Sequence, residues 1–425
     1  MQQFLRTKSH SPAVQGIGRY LPLLRRIKRI LRLRITTLAT MIAASALSGQ
    51  GIGGDFNADR KEDLLWRDRT TGTVSLWLLN GGAVQSSVGG WVVGNDWSIQ
   101  GVADFDGDGK SDILWRNTTT GVVTIWLMNG GTLLKSVGGW TVNTDLVIQG
   151  VGDFNGDGKS DIVWRNKATS QVTVWLMNGG TVLSSVGGWT VGKDSVIQGI
   201  GDFNGDGKSD ILWRNATTGL VTIWLMNSGS FVSVGGWAVD TGWAIQGVGD
   251  FNGDKKSDIL WRNRASGEVN IWLMSAGTVL SSVGQWVVGN DWMIQGVGDF
   301  NGDGKTDILW RQITTGRTDI WQMNGGTLLS SVGRWIVSGN TVVQGSPPRT
   351  VTLTWNDGSS NEAGFKIERS PDGTTNWTQI GTTGAGVLTY SDIGVAPLTT
   401  YYYRVRAYNA TSNSAYSNAV SVTTR

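Results

Sequence analysis

The stretch DFNGDGKSD at residues 202–210 places oxygen-bearing side chains on alternate residues. Asp202, Asn204, Asp206 and Asp210 fall at positions 1, 3, 5 and 9 of a short loop, and the backbone carbonyl of Lys208 at position 7 adds a further oxygen. Hard oxygens crowded this closely repel one another until a hard cation offsets them. Calcium accepts six to eight such donors at about 2.3–2.6 Å. Gly207 at position 6 lets the chain turn sharply without a Cβ clash. Position 12 holds Trp213 rather than the Glu of an EF-hand, and the loop runs directly into the strand-like ILW, so a helix–loop–helix calcium site is excluded.

The same loop recurs from Asp55, Asp104, Asp153, Asp202, Asp250 and Asp299, at spacings of 49, 49, 49, 48 and 49. The ligand sets this implies are Asp55, Asn57, Asp59, Lys61 and Asp63; Asp104, Asp106, Asp108, Lys110 and Asp112; and Asp153, Asn155, Asp157, Lys159 and Asp161. After the Asp202 loop come Asp250, Asn252, Asp254, Lys256 and Asp258, then Asp299, Asn301, Asp303, Lys305 and Asp307. In each set the Lys offers its carbonyl. A single copy could be a solvated turn, but repetition at one period argues for about one calcium per repeat. Four loops keep Gly at position 6, whereas the first has Arg60 and the fifth Lys255, which predicts two weakened sites. The second loop has four carboxylates and is expected to bind most tightly.

Each loop must be held between strands. In the second repeat SIQGVADF leads into the loop, DILWRN leaves it, and VVTIWLMN and TLLKSVGGW follow beyond Gly-containing turns. These runs are rich in Val, Ile, Thr and Trp, and VTIWLM reads as apolar on both faces, as a sheet covered on both sides requires. Four-stranded units of this period predict an all-β fold, a β-propeller over 47–346. Six blades are expected, with seven as the alternative. TVVQGS from Thr341 begins another first strand without continuing it, and either this segment or SGQGIGGDF from Ser48 could close the ring.

The repeated D-x-[DN]-G-D-G-x-x-D pattern over 51–345 resembles the calcium loops of FG-GAP and VCBS repeats, known from integrin α-chain heads and secreted microbial propellers. The Phe-Gly and Gly-Ala-Pro signatures are missing, so the VCBS-like branch fits better. Residues 347–425 change texture, with VTLTW, GFKIERS, NWTQIG, TYSD, YYYRVRAYN and AVSVTT as alternating strands. This tail resembles a fibronectin type III β-sandwich, with Trp355 as its early core Trp and Tyr401 at the tyrosine corner.

Residues 1–46 carry nine basic residues and no acid, followed by an apolar run ending in Ala44-Ser45-Ala46, the pattern of a cleaved signal peptide; an amphipathic membrane-surface helix is the alternative reading. Without this leader the chain is net acidic, which excludes a basic nucleic-acid-binding body, and no membrane span is expected after its removal. The only His is His10 and Cys is absent, so the mature chain has no Ser-His-Asp or Cys-His site. A carboxylate pair for glycoside hydrolysis would have to draw on Asp68, Asp240 or Asp319, or on the few Glu.

Three Trp columns recur in every repeat, exemplified by Trp115, Trp126 and Trp140, and a fourth position holds Trp97, Trp243 and Trp292 but Leu146 and Ser195 elsewhere. The first two columns read as inter-blade packing, and the last two sets as the places where a ligand could meet Trp. An Arg follows the first column throughout (Arg67, Arg116, Arg165, Arg214, Arg262, Arg311), expected to bind a carboxylate or loop carbonyls. Near-identical units suit multivalent binding better than one asymmetric active site. The expectation is therefore a secreted calcium-binding binding or adhesion protein, not an enzyme, with extracellular glycan or protein as partner. The alternatives are a polysaccharide-degrading lyase or hydrolase and a structural surface-layer component.

Overall fold

The computed structural model describes residues 53–337 apart from 69, the strand Thr341–Val343, residues 351–423 apart from 358–360 and 393–399, and the pair Leu33–Arg34. The expected leader, apart from that pair, and the SPP segment lie outside the described residues. The chain divides into two compact units, one of residues 37–350 and one of residues 1–36 with 351–425.

In the larger unit the strands expected from the second repeat form as Trp97–Ala103, Asp112–Asn117, Val122–Asn129 and Thr132–Thr141, paired antiparallel in chain order. The same four-stranded order recurs in 146–190, 195–238, 243–287 and 292–336, here called sheets 3 to 6, with 97–141 as sheet 2. Sheet 1 spans 53–92, and its first strand is built from two pieces. Gly53–Gly54 pairs with Asp63 and Leu64, while Thr341–Val343 pairs with Trp66 to Asp68, so both ends of the repeat region meet on one strand. The described parts of both candidate segments pair with this strand.

Why the strands stack is legible from burial. In the third strand of sheet 2, Val123, Ile125 and Leu127 pack toward sheet 3 while Trp126 and Met128 pack toward sheet 1, so both faces carry apolar cover. Apolar clusters fill every space between consecutive sheets. Phe56, Leu65 and Leu76 of sheet 1 meet Ile99, Ile113 and Trp115 of sheet 2, and equivalent clusters join each later pair. Leu64, Trp66 and Leu79 pack on Phe300, Leu309 and Ile320, joining sheet 6 to sheet 1. First strands of neighbouring sheets touch, placing them innermost. The unit is all-β, its repeated four-stranded sheets are consistent with a β-propeller, and no described residue is helical. Among the described residues no helix is long and apolar enough to cross a membrane.

The smaller unit holds six tail strands in two sheets. Val351–Trp355 pairs with Thr389–Asp392 and with Leu33–Arg34; Thr378–Gly384, Gly364–Ser370, Thr400–Tyr408 and Val420–Thr423 form the other sheet in that order. Trp355 is in its core, with Leu353, Phe365, Ile367 and Tyr403. Tyr401, the expected corner residue, packs at the core's edge, whereas the fully buried Tyr403 donates its hydroxyl to Asp392 Oδ2 at 3.0 Å.

Candidate metal centre

Each acidic loop joins the first and second strands of its sheet and is folded around its own carboxylates. In the third loop, Asp153 Oδ1 accepts the N–H groups of Gly156 and Asp157 at 2.6 and 3.2 Å, and Asp153 Oδ2 accepts that of Gly158 at 2.8 Å. Asn155 Oδ1 accepts Asp157 N–H at 2.8 Å, and Asp157 Oδ1 accepts Lys159 N–H at 2.9 Å. The alternation at positions 1, 3 and 5 thus turns the side-chain oxygens onto the loop's own N–H groups. In the second loop, oxygens of Asp104, Asp106 and Asp108 all lie within 4.8 Å of one another. Ligands on opposite sides of a calcium ion stand about 5 Å apart, so this donor set fits the ion. Burial and then the charge of Asp108 raise the Asp106 pKa.

Position 9 has a further role. Asp161 is fully buried, with Oδ2 accepting Phe154 N–H at 2.9 Å and Oδ1 accepting Met177 N–H at 2.8 Å from the third strand. The same two bonds recur at Asp63, Asp112, Asp210, Asp258 and Asp307. This Asp therefore pins the loop to the sheet whether or not it also reaches the ion. Desolvation raises all six to about 7, against the lowering effect of the backbone donors. Asp112 is not among the three acids that converge in the second loop.

The expected strain at position 6 is present: Arg60 and Lys255 have φ of 64° and 67°. A Cβ on Gly207 would touch nothing within 4 Å, so glycine is needed there for its torsion and not for space. Position 4 is strained in the first loop as well, where Ala58 at φ 60° replaces the usual glycine. That departure adds to the weakening expected of the first loop.

The loops are also joined to each other, which their separate spacing in the chain does not show. The position-8 N–H of each loop donates to the position-1 carbonyl of the preceding one. These bonds are Ser111 to Asp55, Ser160 to Asp104, Ser209 to Asp153, Ser257 to Asp202 and Thr306 to Asp250, all at 2.6–2.8 Å. Glu62 to Asp299 at 2.7 Å completes the cycle. Except for Lys110, whose preceding loop has Ala58, the position-7 Lys side chains lie over the preceding loop's position-4 glycine, as Lys159 does over Gly107 and Lys61 over Gly302. Where five loops have Ser or Thr at position 8, the first has Glu62, whose buried Oε2 finds no hydrogen-bond partner. Burial, then Asp63, Asp55 and Asp299, raise its pKa to about 8.

The Trp and Arg columns are structural. Trp115 packs on Trp126 at 5.0 Å, and Trp126 meets Trp91 of the preceding sheet edge-on at 6.0 Å, a pattern repeated round the unit to Trp77 and Trp335. The third column is half-buried in this stack. Arg116 donates to the carbonyls of Leu146 and Asn143 in the connector to the next sheet, and its guanidinium lies 5.5 Å from the Trp164 ring centroid. The other arginines take connector carbonyls too, so carbonyls rather than carboxylates are their partners. Because the backbone carbonyl at the fourth Trp position is what the Arg uses, its side chain is free to vary among Trp97, Leu146, Ser195, Trp243 and Trp292. Of the carboxylates considered for hydrolysis, Asp68 accepts Thr70 and Thr71 N–H, Asp240 accepts Gly242 N–H, and the buried Asp319 is paired with Arg317 at 2.6 Å.

Comparison with known families agrees with this geometry. The FG-GAP-like repeat matches residues 55–115, 202–261 and 250–310, and the FG-GAP repeat matches 150–177. The chain thus carries FG-GAP repeats: each of the three longer matches runs from one acidic loop through the next, and the shorter match contains one loop. No curated protein matches the chain. Among solved structures, the Myceliophteria thermophila Cps50 (Swd1) β-propeller domain is 13% identical over 72% of this chain and 93% of its own, at a TM-score of 0.41. Kluyveromyces lactis Hsv2 is 12% identical over 79% and 99%, at 0.36. The Vibrio cholerae biofilm matrix protein Bap1 is 14% identical over 92% and 70%, at 0.23. Likenesses this distant carry no functional argument.

Proposed function

We propose that the six sheets are the blades of a closed six-bladed propeller stapled by calcium, followed by a fibronectin type III-like domain. In this reading the exported protein is a multivalent binding or adhesion protein for extracellular glycan or protein. The observation that carries it is the cycle of six acidic loops, each bonded to the next, with the acids of the second loop converging within 4.8 Å. A cation at the loop centre would meet the position-1, -3 and -5 oxygens and hold the first and second strands together. Each blade then presents the same surface, which favours several weak contacts acting together over a single catalytic centre.

Two measurements test this. A thermal melt in EDTA and then in millimolar calcium, with bound metal counted by mass spectrometry, should show a large calcium-dependent rise. An ion at a hundredfold excess over its Kd contributes about 2.7 kcal/mol per site. No metal and no shift would refute the staple. Incubation with a polysaccharide panel should give retention without new reducing ends or unsaturated products; such products would instead establish a degrading enzyme.

A further inference from the structure

The six tail strands divide unevenly, two into one sheet and four into the other. Within the tail, Val351–Trp355 has a partner on one side, Thr389–Asp392, and is an outer strand on the other. Its burial is that of an inner strand. Val351, Leu353 and Trp355 are all buried in the core with Phe365, Ile367 and Tyr403. The outer strand Thr378–Gly384 of the other sheet has no buried residue. Natural edge strands are commonly guarded by charge, proline or a bulge. VTLTW has no charged residue and no proline, and it pairs with Thr389–Asp392 without a register shift.

Backbone donors point to alternate sides along an antiparallel strand. The Trp355 N–H goes to Leu388 O at 3.2 Å, on the Thr389–Asp392 side, so the N–H groups of Thr352 and Thr354 face the opposite edge. Beside a packed core such groups need acceptors. That edge is where the amino-terminal segment stands. Leu33 lies opposite Trp355 and Arg34 opposite Thr354, in antiparallel register. The pair belongs to the run LRLRIT at 31–36, in which Leu31, Leu33 and Ile35 alternate with Arg32, Arg34 and Thr36. A period of two is that of a strand with one apolar face, and not that of a helix.

We propose that Val351–Trp355 is a strand-acceptor site and that residues 31–36 of the same chain are the strand it accepts. Recognition is by strand addition: main-chain hydrogen bonds supply the affinity, and the alternation of apolar and basic residues supplies the specificity. The segment then works in the folded protein and not only during export. A chain deprived of it carries an open edge that binds the same strand in trans. Neither calcium nor a glycan takes part in this contact, so its failure would leave the binding-protein reading above untouched.

The test uses the full-length, unprocessed chain in calcium, with hydrogen exchange over 351–355 read by mass spectrometry. Arg34→Pro removes the N–H opposite Thr354 and should speed exchange there about tenfold or more, as loss of a ladder hydrogen bond does. Arg34→Ala keeps the backbone donor and should exchange like wild type. A peptide of residues 29–38 added to the Arg34→Pro chain should restore protection, and the same peptide carrying Arg34→Pro should not. Paired residues of an antiparallel ladder stand about 5.5 Å apart at Cα, within disulfide range. The protein has no Cys, so Arg34→Cys with Thr354→Cys should give one disulfide within a single chain. This reads the pairing even where the proline variant fails to fold. A disulfide between two chains would overturn the assignment and make a second copy the donor. Equal exchange in wild type and Arg34→Pro, or no disulfide in the double variant, would show that this edge takes no strand from the segment.

Discussion

At the level of single residues, the acidic loop separates torsional from electrostatic demands. Lys255 holds a left-handed φ that glycine adopts freely, and a Cβ at the equivalent Gly207 would meet nothing. Lys255→Gly should therefore stabilise the calcium-free protein by about 1 kcal/mol, and Gly207→Ala should destabilise it by a similar amount, both read from urea melts. Equal midpoints for the two variants would show that torsion is not what position 6 selects. The ninth-position aspartates make a second prediction through pH. Their folded pKa of about 7 exceeds the ordinary value of 3.8, so the folded state takes up protons. Stability from these groups is full below about pH 4 and is lost as pH rises toward 7. In EDTA the melting temperature should fall across that window, and saturating calcium should remove most of the fall, because a cation favours the ionised form. A calcium-free midpoint that rises from pH 4 to 7 would contradict this.

At the level of the strand and its connections, the sequence was most informative where structure is local. The four strands of each repeat, the loops between the first two, and the strain at Arg60 and Lys255 all follow from spacing and residue type within about ten positions. The contacts that join sheets were not legible, because they link residues of different repeats far apart in the chain, such as Arg116 with Leu146 and Ser160 with Asp104. Nor does spacing reveal that Asp161 spends both oxygens on Phe154 and Met177 N–H. Glu62 was legible in principle, since aligning the eighth position of each loop exposes it as the one acid in a Ser/Thr column. It stands at the junction of sheets 6 and 1 with an unpartnered buried oxygen. Its raised pKa means that its contribution to folding becomes unfavourable as pH climbs from 4.5 toward 8. Glu62→Ser should stabilise the calcium-free protein, and the gain should grow across that interval. A pH-independent gain would point to packing alone, and a loss would show that the carboxylate has a partner the protein needs.

At the level of the whole larger unit, the loop-to-loop hydrogen bonds make a closed cycle, and that has a consequence for metal binding. The position-1 aspartate of each loop does two things: its carboxylate gathers the loop's own N–H groups, and its carbonyl receives the next loop's position-8 N–H. An ion that orders this residue in one loop therefore orders an acceptor for its neighbour, and binding at adjacent loops should be mutually favourable. Replacing Asp202 and Asp206 with Ala removes the centre of the fourth loop while leaving Asp210 to pin it to the sheet. Calcium affinity should then fall at the third and fifth loops as well, and hydrogen exchange should quicken at Ser257, which bonds Asp202 O, and at Ser209, which bonds Asp153 O. The first loop, on the far side of the cycle, should respond least. Wild-type calcium titrations should rise more steeply than independent sites allow. Exchange changes confined to 202–210, with unaltered affinity next door, would mean that each loop binds alone and that the cycle holds the sheets together without relaying occupancy between them.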